Sequence, residues 1–237
     1  MSSAARFTTP PRPPVVPPLV PGERLTQPEF HRRYEQYPPH IKFELIRGIV
    51  YMASPARWRH GTYNFELAAV LGLYKSATSG VEGGSDATTI LGEESEPQPD
   101  QALRLLPEYG GRSRLNEGEY VQGPPEWLGE IAYSRKDIDL GVKRLDYERA
   151  GVVEYMVVCV AEQELHWFHF PSGKIIKPDR QGIYRSRVFP GLWIDGPALL
   201  ACNSKQLAKV LRQGLASPGH ARFVKRLQAA YRKHSRS

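Results

Sequence analysis

The sequence predicts an α/β protein in which a mixed β-sheet is flanked by helices. Two long segments, residues 58–78 and 137–150, are typical of helices, and short β-rich runs lie between and after them. One run, residues 152–160, is almost purely apolar, which is typical of a central strand covered on both faces. Strands that alternate with long helices favour a layered sheet over a sandwich or a helix bundle.

Composition narrows the class of protein further. Among 237 residues, 41% are hydrophobic and 24% charged, which excludes a wholly disordered, collagenous or coiled-coil chain. No apolar run is long enough to span a membrane, and the Pro-rich start lacks the apolar segment of a signal peptide. We therefore expect a cytoplasmic protein with no membrane partner. Cys159 and Cys202 lack metal-binding spacing and are expected to be reduced.

The net charge of +7 is unevenly distributed along the chain. Residues 1–195 contain 23 basic and 25 acidic residues, whereas residues 196–237 contain nine basic residues and no acidic one. With the Pro-rich start, this pattern predicts three parts. These are a disordered arm at 1–22, a folded domain at 23–195 and a basic helical tail at 196–237.

Both terminal parts have alternative interpretations. The Pro-rich arm could be a PxxP ligand for a partner domain. The basic tail could be a solvated segment, an anchor for a phosphate backbone, or a helix that binds a partner. Its low apolar content argues against an anionic membrane surface.

The first predicted helix begins at Thr26 and ends near Tyr37. Thr26 and Glu29 have the spacing of a capping box, and Pro28 occupies the first turn, where its missing N–H group costs nothing. Residues 43–52 then form two β-rich runs around Arg47 and Gly48, which predicts a hairpin.

The second predicted helix covers residues 58–78 and ends at Gly80. Its expected apolar face is formed by Phe65, Ala68, Ala69, Leu71 and Leu73. A third helix at 137–150 should end at Gly151. Strands are predicted at 87–91, 100–106, 127–133, 152–160, 165–170 and 183–188, the last two as antiparallel edge strands.

Charged residues occur at three places where the pattern expects apolar ones. Asp100 opens a strand, Glu130 interrupts an apolar strand, and Lys143 follows Asp139 by one helical turn. Singly, they could be a turn residue, an exposed strand residue and a surface salt bridge. Together, two carboxylates at neighbouring strand ends can bind a hard divalent cation, and a nearby lysine can stabilise phosphate charge.

This order of acidic residues and lysine resembles the PD-(D/E)XK nuclease superfamily, and residues 25–170 resemble more specifically its Uma family of restriction endonucleases. The resemblance rests on residues 43–48 (Phe-Glu-Leu-Ile-Arg-Gly), Arg59-His60-Gly61, Pro99-Asp100, Glu130-Ile131, and Asp139, Lys143 and Tyr147 followed by residues 151–155 (Gly-Val-Val-Glu-Tyr). The last of these is the most specific. The resemblance implies a restriction-endonuclease-like core, so that residues 23–195 would form an endonuclease-like domain.

The resemblance also implies a catalytic site. Asp100 and Glu130 would bind Mg²⁺, for which Mn²⁺ is the expected substitute, and Glu44 would be a third acidic ligand or a water-positioning group. The superfamily commonly has its lysine two residues after the glutamate, where this chain has Ala132. Lys143 is the implied substitute.

His60 matches the family's His-Gly at the start of the second helix. Its imidazole could hydrogen-bond a substrate phosphate or a ligand carboxylate, or it could have only a structural role at the helix terminus. Tyr147 would share a helix face with Lys143 and is expected to pack against the sheet.

The implied activity is Mg²⁺-dependent hydrolysis of DNA phosphodiester bonds. Ala132 and Tyr133-Ser134-Arg135, where family members usually have Ser-Pro-Ser, depart from the family pattern. The alternative is therefore a nucleic-acid-binding or regulatory protein on the same fold without efficient catalysis. DNA or RNA as substrate, the recognition sequence and a homodimer are left open.

Overall fold

A computed structural model describes residues 16–133 and 136–236 and has a six-stranded mixed sheet at its centre. The strands are β1 Phe43–Ile46, β2 Ile49–Met52, β3 Val81–Gly84, β4 Thr89–Ile90, β5 Gln101–Leu105, β6 Arg114–Leu115, β7 Val121–Gln122, β8 Trp127–Ala132, β9 Glu154–Cys159, β10 Glu164–His169, β11 Lys174–Ile175, β12 Ile183–Arg185 and β13 Trp193–Asp195. The α-helices are α1 Gln27–Tyr34, α2 Trp58–Ser76, α3 Arg144–Ala150, α4 Gly196–Leu200, α5 Ser204–Leu215 and α6 Pro218–His234. A π-helical segment, Ile138–Lys143, leads directly into α3.

The central sheet has the strand order β11-β10-β9-β8-β5-β3. Strands β8 and β9 are parallel, and the other neighbours are antiparallel. Every residue of β8 and of β9 is buried, as the apolar run at 152–160 predicts. The hairpin β1–β2, the pair β12–β13 and the small sheet β4-β7-β6 lie outside it.

Helices cover both faces of the sheet, because alternate residues of β9 belong to different hydrophobic clusters. Met156 and Val158 pack with α2 and the C-terminal helices, whereas Tyr155 and Val157 pack with Tyr147 of α3. The predicted α/β class, a mixed sheet flanked by helices, is confirmed. In the described part of the chain, no helix is long and apolar enough to cross a membrane.

The basic C-terminal residues are helical and are anchored in the main core. Leu207 and Leu211 of α5 and Phe223 and Leu227 of α6 are buried in the same cluster as α2 and the sheet. The Lys and Arg side chains of residues 205–232 lie on the opposite, exposed sides of these helices. A solvated tail without core contacts is therefore excluded for these helices.

The N-terminal arm differs from the prediction where it is described. Residues 1–15 lie outside the described residues, but within residues 16–22 Leu19 is buried against the hairpin cluster. The backbone N–H of Gly22 also donates to the carbonyl of Val50. Residues 16–22 are therefore packed against the domain and are not part of a disordered arm.

The predicted capping box and the predicted helix end are also wrong. Thr26 precedes α1 but makes no side-chain cap, and the carboxylate of Glu29 instead binds Arg32 and Arg33 within the helix. Three hydrogen bonds from two charged arginines outweigh the single bond from a backbone N–H that a capping box would give Glu29. Helix α1 ends at Tyr34 and not near Tyr37.

Helix α2 packs on the sheet with a different face from the one that the spacing predicts. Phe65 and Leu73 are exposed, and the buried face is formed by Tyr63, Glu66, Leu67, Val70, Leu71 and Tyr74. The two tyrosines can be buried because their hydroxyls donate to backbone carbonyls, Tyr63 to Leu200 and Tyr74 to Pro190.

The last two predicted strands are not both sheet edges. Strand β10 pairs with β9 on one side and with the short strand β11 on the other. Strand β12 forms a separate pair with β13. Because β11 has only two residues, the period-2 pattern could not reveal it.

Candidate active site

The structure brings all five predicted site residues to the wall of one cavity of about 620 Å³. The cavity lies where β1, β5, β8, the first turn of α2 and the π-helical segment meet. The five residues are Glu44, His60, Asp100, Glu130 and Lys143.

Asp100 and Glu130 are adjacent because their strands are neighbours. Strands β5 and β8 are antiparallel, with Gln101 opposite Gly129, so the residue before β5 comes next to Glu130. The backbone N–H of Asp100 lies 3.4 Å from Glu130 Oε2, and Asp100 Oδ2 accepts from the N–H of Ile131 at 2.7 Å. Both carboxylates are buried and therefore held in place.

Lys143 reaches these carboxylates from the end of the π-helical segment. Its Nζ lies 3.0 Å from Glu130 Oε1 and 3.0 Å from Glu44 Oε1. Glu44 Oε1 also accepts from the backbone N–H of Gln98 at 2.8 Å. Burial opposes the charged form of Lys143, but Glu130, Glu44 and Asp139 together raise its pKa well above its ordinary value.

His60 and Tyr147 each form a hydrogen bond with one of the two carboxylates, Asp100 and Glu130. His60 Nε2 lies 3.2 Å from Asp100 Oδ2, and this hydrogen bond raises the pKa of His60 despite its partial burial. Tyr147 packs in the cluster beside the sheet, as expected, but its hydroxyl also donates to Glu130 Oε1 at 2.9 Å. The expectation of packing alone therefore missed its contact with the site.

Asp139 is a further cavity residue that the predicted site did not include. Its Oδ1 lies 3.9 Å from Lys143 Nζ, and it is buried in the cavity wall. Burial raises the pKa of Asp139 to about 6, with Glu44 and Asp100 adding to this effect and Lys143 opposing it. Its spacing of four residues from Lys143 was the signal that pointed to it.

Negative charge is in excess in the cavity. Five carboxylates line it, against three basic side chains and the imidazole of His60. The carboxylates are those of Glu44, Asp86, Asp100, Glu130 and Asp139, and the basic side chains are Lys42, Arg57 and Lys143. Burial raises the pKa of Glu130 well above its ordinary value, Asp100, Asp139 and Glu44 raise it further, and Lys143 opposes the rise. A cation entering the cavity would relieve this repulsion.

The donor set fits a partly hydrated hard cation. Mg²⁺ typically keeps several water ligands and is bound through one or two carboxylates, a role that Asp100 and Glu130 can fill. Across residues 16–133 and 136–236, no three His, Cys, Asp or Glu side chains are arranged to hold a metal ion. The remaining ligands would therefore be water or substrate oxygens, for which the cavity has room. Glu44 contacts the ammonium group of Lys143 and the backbone N–H of Gln98.

One motif residue lies away from the cavity. Glu154 begins β9, and its carboxylate accepts from the backbone N–H groups of Arg187 and Val188, from Trp167 Nε1 and from the Ser186 hydroxyl. These four donors hold the loop after β12 against the sheet. The segment that resembles the family most specifically is therefore partly structural.

Three comparisons with known proteins bear on this site and fold. The crystal structure of a "putative nuclease belonging to DUF820" from Anabaena variabilis ATCC 29413 has a TM-score of 0.58 and 14% sequence identity, over 72% of this chain and 97% of that chain. This likeness confirms the nuclease-like fold. Among curated proteins, none matches this chain significantly.

The third comparison is with models of protein families. The model of the Uma2 family, described as "Putative restriction endonuclease", matches residues 28–199. These residues include all five residues of the predicted site and the whole central sheet. Because the match covers well over half of the 237 residues, the chain belongs to the Uma2 family.

Proposed function

We propose that this protein is a Mg²⁺-dependent endonuclease that hydrolyses DNA phosphodiester bonds, with Mn²⁺ as a substitute metal. The observation that supports this proposal most directly is the arrangement of three side chains in one carboxylate-rich cavity. Lys143 forms an ion pair with Glu130, and Glu130 lies next to Asp100. Family membership supports nuclease chemistry in general.

In this proposal Asp100 and Glu130 would hold the metal ion. The bound ion supplies Lewis acidity toward the scissile phosphate and lowers the pKa of a water ligand. Lys143 places its ammonium group where negative charge develops on the phosphate. His60 fixes the carboxylate of Asp100, and Tyr147 fixes that of Glu130.

DNA must be held by basic groups and not by the cavity carboxylates, because carboxylates repel a polyanion. Lys42 and Arg57 line the cavity wall and are the nearest candidates. The exposed Lys and Arg side chains of α5 and α6 are further candidates. Both cysteines are free thiols, which agrees with the cytoplasmic location that we propose.

The test is cleavage of supercoiled plasmid by purified protein with Mg²⁺, with Mn²⁺ and with EDTA. We expect cleavage only with metal, and loss of at least about 100-fold in Asp100→Asn and Lys143→Met. Glu164→Gln, an exposed carboxylate on β10, is the matched control and should cleave normally. Metal-independent cleavage, or equal cleavage by all variants, would contradict the proposal.

A second candidate function is DNA binding without efficient cleavage. It is favoured by the contacts of Lys143, which already neutralises part of the charge of Glu130 and Glu44. In that case the protein would shift labelled DNA equally in Mg²⁺ and in EDTA, and plasmid would stay intact in Mg²⁺ and Mn²⁺.

A further inference from the structure

The outward face of helix α2, which the structure describes over its full length, presents large apolar side chains to solvent. Trp58 is 90% exposed, Phe65 is 73% exposed and Leu73 is 49% exposed. The other residues of this face are Gly61, Thr62, Ala69, Gly72 and Ser76. The charged side chains of α2, among them Arg59 and Lys75, lie on its flanks or its inner side, since helical positions repeat every 3.6 residues. We call these eight residues the α2 outer face.

Such a face is unusual for a surface helix, which typically exposes charged and polar side chains. A Cβ atom added to Gly61 or to Gly72 would meet no described atom within 4 Å, so the helix backbone is open to close approach there. Large exposed apolar patches mark interaction sites. The apolar composition of the α2 outer face is therefore typical of a protein–protein interface.

The order of side-chain sizes along this face is self-complementary. If a second copy of α2 runs antiparallel about a twofold axis at the level of Leu67, position n comes opposite position 134 − n. Large residues then share a level with small ones: Trp58 with Ser76, Leu73 with Gly61, Thr62 with Gly72, and Phe65 with Ala69. A parallel pairing would instead place Trp58 against Trp58 and Phe65 against Phe65.

The exposed area reaches the lower limit of a specific interface, which is about 1,000 Å² of total buried surface. At their observed exposures, Trp58, Phe65 and Leu73 present on the order of 450 Å² of side-chain surface per copy, since large aromatic side chains each contribute roughly 150–250 Å². Two copies would bury about 900 Å² from these residues, and the small residues between them bring the total to the roughly 1,000 Å² of a specific interface.

We infer that the α2 outer face binds the same face of a second copy of this chain, with the two helices antiparallel. This inference is independent of the proposed nuclease activity, because it concerns only association of the chain with itself. Inner-face residues such as Leu67 and Tyr74 stay in the core of each copy.

The first test measures the mass of the full chain by light scattering over a concentration series. We expect a dimer, and we expect Phe65→Ala and Ala69→Phe each to weaken it at least about tenfold, because one leaves a gap and the other a clash. The double variant Phe65→Ala/Ala69→Phe exchanges the two sizes, so the dimer should return to near its original affinity. Ile175→Ala, an exposed apolar residue on β11, is the control and should leave the dimer unchanged.

Three outcomes would overturn the inference. They are a chain that is monomeric at every concentration, single variants that dimerise as well as the original chain, and a double variant that is no tighter than the singles. All the substituted side chains are exposed, so each variant should fold, and circular dichroism verifies this.

A second test separates antiparallel from parallel packing by mild oxidation of single-cysteine additions. At 1.5 Å per residue, Ala69 in the antiparallel pair is about 6 Å along the axis from its twin, whereas Ser76 is about 27 Å from its twin. We expect Ala69→Cys to form a disulfide-linked dimer and Ser76→Cys not to form one. The original chain, oxidised in the same way, shows any cross-linking through Cys159 and Cys202. Cross-linking of both variants, or of neither, would contradict the antiparallel arrangement.

Discussion

The ammonium group of Lys143 lies 3.0 Å from Glu130 Oε1, although the two residues are 13 positions apart on a strand and a helix. Both side chains are buried, and Glu44 Oε1 lies at the same distance from the ammonium group. The position of the lysine is therefore set by two carboxylates from two different strands. This arrangement makes Lys143 important for stability as well as for the proposed reaction.

The first prediction concerns the removal of the buried charge of Lys143. Lys143→Met should destabilise the protein by about 3–5 kcal/mol, because Glu130 and Glu44 would lose their buried partner. Urea unfolding measures this loss. Lys75→Met, which replaces an exposed lysine of α2, is the control, expected within about 0.5 kcal/mol of the original chain. A small loss for Lys143→Met would mean that the carboxylates are already neutral.

The second prediction separates the contact of Tyr147 with the site from its packing. Tyr147→Phe removes the hydrogen bond to Glu130 and should cost about 1.5–3 kcal/mol of stability, together with cleavage activity. Tyr74→Phe removes an equally buried hydroxyl that donates to the carbonyl of Pro190, away from the cavity. It should reduce stability without reducing the plasmid cleavage rate. Equal effects of both variants on cleavage would show that Tyr147 acts only through stability.

The third prediction concerns Glu154, whose carboxylate accepts four hydrogen bonds. In Glu154→Gln the amide NH₂ group must face two of those donors, leaving buried donors unsatisfied at about 1–3 kcal/mol each. Thermal unfolding should show a clear fall in Tm. In contrast, Glu164→Gln, which changes an exposed residue on the neighbouring strand β10, should unfold like the original protein. An unchanged Tm in Glu154→Gln would contradict the anchoring role.

The fourth prediction concerns pH and Glu126. This carboxylate is buried and accepts from the N–H of Leu105 at 2.7 Å, and burial raises its pKa above the ordinary value. The folded protein therefore holds the Glu126 proton more tightly than the unfolded chain does. The resulting stabilisation is complete below the unfolded pKa and is lost as pH rises through the folded pKa.

Urea unfolding between about pH 4 and pH 7 tests this sign, since the unfolded pKa of Glu is about 4.3. Glu126→Gln cannot titrate, so its stability should decline less with rising pH than that of the original chain. Parallel pH profiles for the two proteins would rule out Glu126 as a source of the decline.

The fifth prediction concerns the basic side chains of α5. Deleting residues after Asp195 is not a clean test, because Leu207, Leu211, Phe223 and Leu227 belong to the core. Lys205→Gln/Lys209→Gln leaves the core intact and should weaken DNA binding. It should also reduce the slope of log K against log salt by about 0.9 for each DNA phosphate that the variant no longer neutralises.

Lys174→Gln/Lys177→Gln, which removes two equally exposed lysines elsewhere, is the matched control for this experiment. If both double variants change the salt slope equally, α5 is not a preferred DNA-binding surface. If neither changes it, the charge of α5 is incidental.

Sequence patterns predicted best those elements that depend on local signals. The hairpin around Arg47 and Gly48 and the buried strand β9 are present, because positive-φ turn residues and β-branched runs act over a few residues. The end of α3 at Gly151, with φ of 91°, also follows from a local rule.

Features that depend on tertiary partners could not be predicted in this way. The face of α2 was misassigned because its apolar residues are spread around the helix, and packing against the sheet and the C-terminal helices decides which side is buried. Glu29 was misassigned because its arginine partners compete with the cap. The contacts of Asp139 and Tyr147 with the cavity depend on the path of the helix between them.

The helix between Asp139 and Tyr147 begins with the π-helical segment Ile138–Lys143. This segment makes the site sensitive to insertions and deletions. A π turn holds one residue more than the α turn that it replaces, and such turns occur often at functional sites. The first turn of the segment is held by the Tyr155 hydroxyl, which donates to the carbonyl of Asp139. Loss of a single codon, such as that of Gly141, would rotate Lys143 relative to Asp139 by about 100°, the angle per residue of an α-helix. A reading-frame-preserving deletion could thus abolish the site while every residue that lines the cavity is retained.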